Sequence, residues 1–187
     1  MENVMEKDIL KVLVTEEELR ERVKFLGEQI NEKFKDKNPV FLGVLKGSFI
    51  FMADLVRASG LKAEIEFIAV SSYHSGTKSS GVVQITHDLQ RDITGRDIIV
   101  VEDILDSGNT LSFLLGYFKA KGAKSVTIAT LMDKPSRRTK PVKAEFVGFE
   151  IPDEFVVGYG LDYAQKYRNL PYIGVLKAEV YENDLDD

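Results

Sequence analysis

The feature that most restricts the fold is an alternation of short apolar, β-branched runs with helix-period stretches, each pair joined by a polar turn. Residues 40–45 form such a run, broken by Lys46-Gly47-Ser48 and followed by a helical stretch carrying Phe49, Met52, Ala53 and Val56 up to Gly60. Residues 98–104 repeat the pattern, passing through Asp106-Ser107-Gly108-Asn109-Thr110 into a helix through Leu111, Leu114, Leu115 and Phe118 to Gly122. Strands that alternate with helices predict an α/β fold: a mostly parallel twisted sheet flanked by helices on both faces, with ligands at the carboxyl ends of the strands.

Other segments fill in this frame. Residues 9–14 read as a strand, and Thr15 with Glu18 forms a Thr-x-x-Glu capping box that starts a helix. Leu19, Val23, Leu26, Ile30 and Phe34 then fall on one helical face, which ends before Asn38-Pro39. Residues 64–70 and 82–89 read as strands separated by a mobile Ser, Gly and Thr-rich loop over 71–81, and 126–132 as another strand. A basic, Pro-bearing loop follows over 133–142. The last third reads as short strands around Phe146, Val156 and Ile173, with a frayed acidic tail at 183–187. Being poor in helix, the N-terminal segment and roughly 133–187 are expected to form a small hood subdomain over the site, within one domain spanning 1–187.

Composition narrows the function. A chain of 187 residues with 44% hydrophobic and 29% charged residues is that of one globular domain, neither disordered nor fibrous. Lys and Arg number 25 against 30 Asp and Glu, a net charge of −5, which removes any general attraction to nucleic acid or anionic membrane. An anion must be held by a local site. With no Cys, thiol nucleophiles, zinc-thiolate sites and disulfides are excluded, in keeping with a cytoplasmic location. The acidic N-terminus lacks the features of a signal peptide, and no apolar run approaches the roughly 20 residues of a membrane span. The two histidines, His74 and His87, are too few for a metal cluster.

The segment that carries chemistry is Val100-Val101-Glu102-Asp103-Ile104-Leu105-Asp106-Ser107-Gly108-Asn109-Thr110-Leu111. It ends at a helix N-terminus, whose free N–H groups and positive dipole end suit a phosphate. No Gly-Lys-Ser/Thr occurs, and Gly158-Tyr159-Gly160 lacks a third glycine, so neither a Walker loop nor a dinucleotide fingerprint is present. Two adjacent carboxylates beside a phosphate cradle would repel the ligand unless they face its hydroxyls or a cation. A phosphorylated sugar with Mg²⁺ resolves the conflict. Consecutive strand residues face opposite sides, so both acids reach one ligand only where the chain leaves regular β geometry. Read alone, Glu102 and Asp103 are acids at a solvated strand end and Asp106 an N-cap.

This segment resembles the phosphoribosyl diphosphate signature of the type I phosphoribosyltransferases, and the rest of the chain is similar to their hypoxanthine-guanine branch. Gly43-Val44-Leu45-Lys46-Gly47-Ser48 is similar to that branch's pyrophosphate turn and Ser71-Ser72-Tyr73 to the start of its flexible catalytic loop. Phe149-Glu150-Ile151-Pro152-Asp153 with Phe155-Val156-Val157-Gly158-Tyr159-Gly160-Leu161-Asp162-Tyr163 is similar to its hood. Asn109 and His74 depart from the pattern.

The resemblance implies transfer of a phosphoribosyl group from 5-phosphoribosyl 1-diphosphate to hypoxanthine or guanine. It implies Glu102 and Asp103 on the ribose and Mg²⁺, Asp106 as the acid or base at the purine's imidazole nitrogen, and Asp106, Ser107, Gly108, Asn109, Thr110 and Leu111 around the 5′-phosphate. Lys46, Gly47 and Arg168 would take the pyrophosphate, and Asp162, beside the purine, would hold a second Mg²⁺. Lys134, Phe155 and Val156 would hold the purine, and Ser72 and Tyr73 would head a closing lid. An ammonium offers three donors and no acceptor, so Lys134 suits a 6-oxo group and opposes adenine's 6-amino group. Taken singly, these residues have ordinary readings as solvated cations, turn formers and core. A homodimer or homotetramer is implied as well. A second reading is a regulator that senses phosphoribosyl diphosphate and binds RNA or DNA through the basic cluster Lys134, Arg137, Arg138, Lys140 and Lys143.

Overall fold

The computed structural model describes residues 4–75 and 78–181. Its elements in chain order are β1 (Ile9–Val14), α1 (Glu16–Phe34), β2 (Val40–Leu45), α2 (Phe49–Ser59), β3 (Glu64–Ser75), β4 (Lys78–His87), β5 (Asp97–Leu105), α3 (Asn109–Ala120), β6 (Ser125–Asp133), β7 (Phe146–Glu150), β8 (Val156–Val157), β9 (Ile173–Leu176) and α4 (Ala178–Tyr181). Six strands make the main sheet in the order β4-β3-β2-β5-β6-β7. Every neighbouring pair is parallel except β3 with β4. The remaining three form a separate antiparallel sheet, β1-β9-β8.

The strand periodicity explains why this sheet is covered on both faces. Phe41, Ile99, Val101, Ala129 and Leu131 pack in one cluster with Leu19, Val23, Leu26, Ile30 and Phe34 of α1 and Phe51, Met52 and Leu55 of α2. The alternate residues Val40, Leu42, Ile98, Val100 and Ile128 join Leu111, Leu114 and Phe118 of α3 in a second. Helix α1 starts at the anticipated capping box: the Glu18 N–H donates to Thr15 Oγ1 at 3.3 Å and the Thr15 N–H to Glu18 Oε2 at 2.8 Å.

Three expectations are corrected. The spacing 49, 52, 53, 56 in α2 selects only one fully buried side chain, Met52, since Phe49 is 44% exposed and the buried face is Phe51, Met52, Leu55 and Ser59. That helix is apolar on most sides, so periodicity cannot choose its face; packing on α1 and the sheet does. The segment expected as a loop over 71–81 is drawn into the sheet on both sides, with β3 and β4 paired out to Ser75 opposite Lys78. Its serines and glycine lower strand propensity, but a backbone ladder beside an existing pair does not need apolar side chains. The register shifts between Ser72 and His74, as expected where side chains define it weakly. The side chains of Ser72 and Tyr73 and the tail 183–187 lie outside the described residues. Third, β7 adds to the edge of the main sheet beside β6, so that part of 133–187 extends the sandwich. Among the described residues no helix is long and apolar enough to cross a membrane.

Candidate active site

The carboxyl ends of β2, β5 and β6 lie side by side at one edge of the main sheet, and β5, the middle of the three, carries the acid pair. Before the pair, Ile98 and Val100 pack on the α3 side and Ile99 and Val101 on the other. After it, Ile104 packs with the α1 and α2 cluster and Leu105 with the α3 cluster, so the alternation is inverted across Glu102 and Asp103. The two carboxyl groups lie within hydrogen-bonding reach of each other. Glu102 lines a small cavity with Asp106–Leu111, while Asp103 lies against Gly47. Burial, then the charge and hydrogen bond of Asp103, push the Glu102 carboxyl well above the usual range. Burial also raises Asp103, opposed by its contacts with Glu102 and the Ile104 N–H and by the positive charge of Arg168. Glu102 Oε2 is buried with no hydrogen-bond partner.

Beyond β5 the chain turns through Gly108, whose φ of +83° lies in the left-handed region that favours glycine, and enters α3. The turn is braced from behind. The Ser107 carbonyl accepts the N–H groups of Thr139 at 3.0 Å and Lys140 at 3.1 Å. Arg138 donates to the carbonyls of Asp106 at 2.9 Å, Leu105 at 3.1 Å and Val142 at 3.0 Å and pairs with Asp133. In the first turn of α3 the Asn109 N–H donates to Ser107 Oγ at 3.3 Å, while Thr110 and Leu111 line the cavity beside Ser107 and Asn109. Such a terminus binds an anion.

The opposite wall is the turn after β2. The Leu45–Lys46 peptide bond is cis. At Gly47 an added Cβ would lie 1.5 Å from Asp103 Oδ2, so the backbone and the carboxylate are in direct contact. Gly160 in turn packs on Gly47, with an added Cβ only 2.1 Å from the Gly47 carbonyl oxygen. Arg168 pairs with Asp162 Oδ1 at 2.7 Å and donates to the Gly160 carbonyl at 2.7 Å. Lys46 Nζ and Arg168 Nη2 both donate to Gln165 Oε1, each at 3.2 Å. Lys46, Gly47, Asp162 and Arg168 are therefore brought together, around a glutamine the sequence did not flag.

At the third side, Lys134 is buried to 8% exposure, its Nζ donating to the Glu154 carbonyl at 2.7 Å and lying 3.6 Å from Asp153 Oδ1. Phe155, 40% exposed, stacks on Tyr181 with centroids 4.9 Å apart and meets Tyr163 edge-on. Val156 is buried in β8, so only its backbone is presented. Arg137 spans Asp106 at 2.9 Å and Asp153 at 3.2 Å. Three of the five residues of the basic cluster, Lys134, Arg137 and Arg138, are thus engaged by acids of the chain itself. Gln165 and Tyr181 were not singled out in the sequence, and nothing in their local spacing marks them; Asp153 and Tyr163 fell within the hood segments but were given no role of their own.

An acid pair beside a helix end, on an inner strand of a mostly parallel sheet, agrees with the resemblance to phosphoribosyltransferases noted in the sequence. Residues 13–164 match the family model of the phosphoribosyl transferase domain. The hypoxanthine-guanine phosphoribosyltransferase of Bacillus subtilis is 54% identical over 180 residues, covering 96% of this chain and 100% of that one. The enzyme of the same name from Streptococcus pyogenes serotype M3 is 52% identical, covering 95% and 99%. Among solved structures, a hypoxanthine phosphoribosyltransferase from Staphylococcus aureus superposes with a TM-score of 0.93 at 48% identity, over 97% of this chain and 98% of that one. The chain belongs to the hypoxanthine-guanine phosphoribosyltransferase family.

Proposed function

We propose that the protein transfers the 5-phosphoribosyl group of 5-phosphoribosyl 1-diphosphate to hypoxanthine or guanine, forming the nucleoside monophosphate and releasing pyrophosphate. The observation that carries this reading is the unpartnered Glu102 Oε2, buried between a helix-end anion cradle and the Asp103–Gly47 contact. A buried carboxylate oxygen without a donor calls for a cation or a hydroxyl, and a ribose bearing Mg²⁺ offers both. Among the described residues no group of three or more His, Asp or Glu could hold a metal. Mg²⁺ is commonly held by one or two carboxylates together with substrate phosphates. Glu102 and Asp103 would hold it with the sugar hydroxyls, and Asp162, now paired with Arg168, would hold a second ion once Arg168 turns to the pyrophosphate. When bound, Mg²⁺ supplies charge stabilisation to the departing pyrophosphate.

The remaining work belongs to the chain's own groups. The first turn of α3 holds the 5′-phosphate through residues 107–111, with Asp106 at its mouth. Lys46, Gly47 and Arg168 orient the pyrophosphate, so bond cleavage at the sugar's C1 is promoted by positioning and preorganised charge. Asp106 manages the proton at the purine's imidazole nitrogen. Its pairing with Arg137 is half-exposed on both sides and is readily exchanged for substrate. The Phe155 ring stacks on the purine and the Val156 backbone meets its edge. Ser72 and Tyr73 head the closing segment, the β1-β9-β8 sheet forms the hood, and the protein acts in the cytoplasm as a homodimer or homotetramer.

Lys134 sets the base. One of its three N–H groups is spent on the Glu154 carbonyl and Asp153 faces another, which leaves a donor for a 6-oxo group and no acceptor for a 6-amino group. Competition among hypoxanthine, guanine, xanthine and adenine, with phosphoribosyl diphosphate and Mg²⁺ supplied, tests this. Adenine is expected to be disfavoured by about a hundredfold or more in kcat/KM; preference for adenine would overturn the assignment.

A further inference from the structure

The two walls of the pyrophosphate side come from distant parts of the chain: the Lys46–Ser48 turn ahead of α2, and the segment 158–168 that carries Asp162 and Arg168. We propose that the hydrogen bond from the Tyr159 hydroxyl to the Asp54 carboxylate clamps these walls together, which makes Tyr159 and Asp54 positioning residues for the diphosphate group. This rests on the function proposed above.

Tyr159 is a non-glycine residue at φ +48°, between Gly158 at +100° and Gly160 at +106°. A side chain in that backbone region is strained and persists only where surrounding contacts over-determine it. Here the ring is 8% exposed, the N–H donates to the Leu170 carbonyl at 2.9 Å, and the hydroxyl donates to Asp54 Oδ2 at 2.5 Å. Burial first, then the Asp54 carboxylate, raise the phenol far above its ordinary range, so it remains a donor. Asp54 stands on α2, whose first residues follow Gly47 directly, and is held from outside by Arg57.

The clamp reaches the site through one residue. Gly160, next to Tyr159, exchanges two hydrogen bonds with Arg168: its N–H donates to the Arg168 carbonyl at 2.9 Å and its carbonyl accepts the guanidinium at 2.7 Å. The same glycine abuts the Gly47 carbonyl. A shift of the 158–161 turn relative to α2 therefore displaces Arg168 and opens the Gly47–Gly160 contact together. Displacements of this order are costly in a site that works by positioning. Lys134 is held by Glu154 and Asp153, outside residues 159–168, so the contact to the purine's 6-oxo group is not expected to follow.

Tyr159→Phe keeps the ring and removes only the donor, and Asp54→Ala removes the acceptor. In each, KM for phosphoribosyl diphosphate in the forward direction and for pyrophosphate in the reverse is expected to rise about tenfold. KM for hypoxanthine should stay near wild type, the melting temperature of Tyr159→Phe should fall by only a few degrees, and the double variant should be no worse than the more affected single one. Unchanged KM for both diphosphates, a parallel rise for hypoxanthine, or additive losses would overturn the clamp. Wild-type turnover in the same assay reports on the function itself. Calorimetric titration with inorganic pyrophosphate and Mg²⁺ reads the clamp without turnover: weaker binding by Tyr159→Phe supports it, and equal binding refutes it.

Discussion

Gly47 shows how much a single residue can carry without advertising it. Its place between a strand and a helix marks it as a turn glycine, and that reading is incomplete. The decisive contact is with Asp103, 56 positions further along the numbering, where an added Cβ would lie 1.5 Å from the carboxylate. Gly160 presses on the carbonyl of the same residue. A methyl group at Gly47 must displace the buried Asp103 carboxyl, whose Oδ2, Cγ and Cβ are the nearest atoms, and so short a side chain has little room to give. Gly47→Ala is therefore expected to lose about a hundredfold or more in kcat/KM, with a stability cost of about 1–3 kcal/mol from overpacking. Turnover measured beside thermal unfolding checks this; near wild-type kinetics would show that the Asp103 contact is dispensable.

At the scale of elements, legibility followed how local the determining interaction is. Helix α1 was readable to its first residue because Thr15 and Glu18 satisfy each other within one turn and its five apolar positions keep helical spacing. The turn from β5 into α3 was readable for the same reason, being contiguous. The face of α2 and the extension of β3 and β4 were not, since packing partners and ladder pairing decide them. Local origin also makes the cap testable in isolation. Thr15→Ala removes the acceptor of the Glu18 N–H and one donor to its carboxylate, at a cost of about 1 kcal/mol. For a chain of this size that corresponds to a melting temperature lower by about 2–4 °C. Thr15→Ser, which keeps the hydroxyl, should lose much less. Equal losses from both would assign the effect to the methyl group instead of the cap.

For the whole molecule, a net charge of −5 is compatible with an anionic substrate because the site's acids are handled separately from the surface. The general class was legible from strand and helix alternation; the pairing of Arg168 with Asp162 and of Lys46 with Gln165 was not, since folding alone brings them together. The acid pair has a consequence for stability. Burial holds the folded-state pKa of Glu102 well above its value in the unfolded chain, so between those two values the folded chain binds more protons than the unfolded one. Its contribution to stability is therefore present at low pH and lost as pH rises through that window. Asp88 and Asp97, whose carboxyls are lowered by Tyr117 and Ser125 respectively, contribute in the opposite sense: stability present above the unfolded pKa and lost as pH falls. The informative quantity is thus a difference between two proteins that share those residues. In chelator, between about pH 5 and 8, the melting temperature of Glu102→Gln should rise relative to wild type as pH increases. Adding Mg²⁺ with phosphoribosyl diphosphate should stabilise wild type by mass action and Glu102→Gln much less. Parallel pH profiles for the two proteins would mean that Glu102 stays charged without cost, and equal stabilisation by the ligands would remove it from the cation and ribose site.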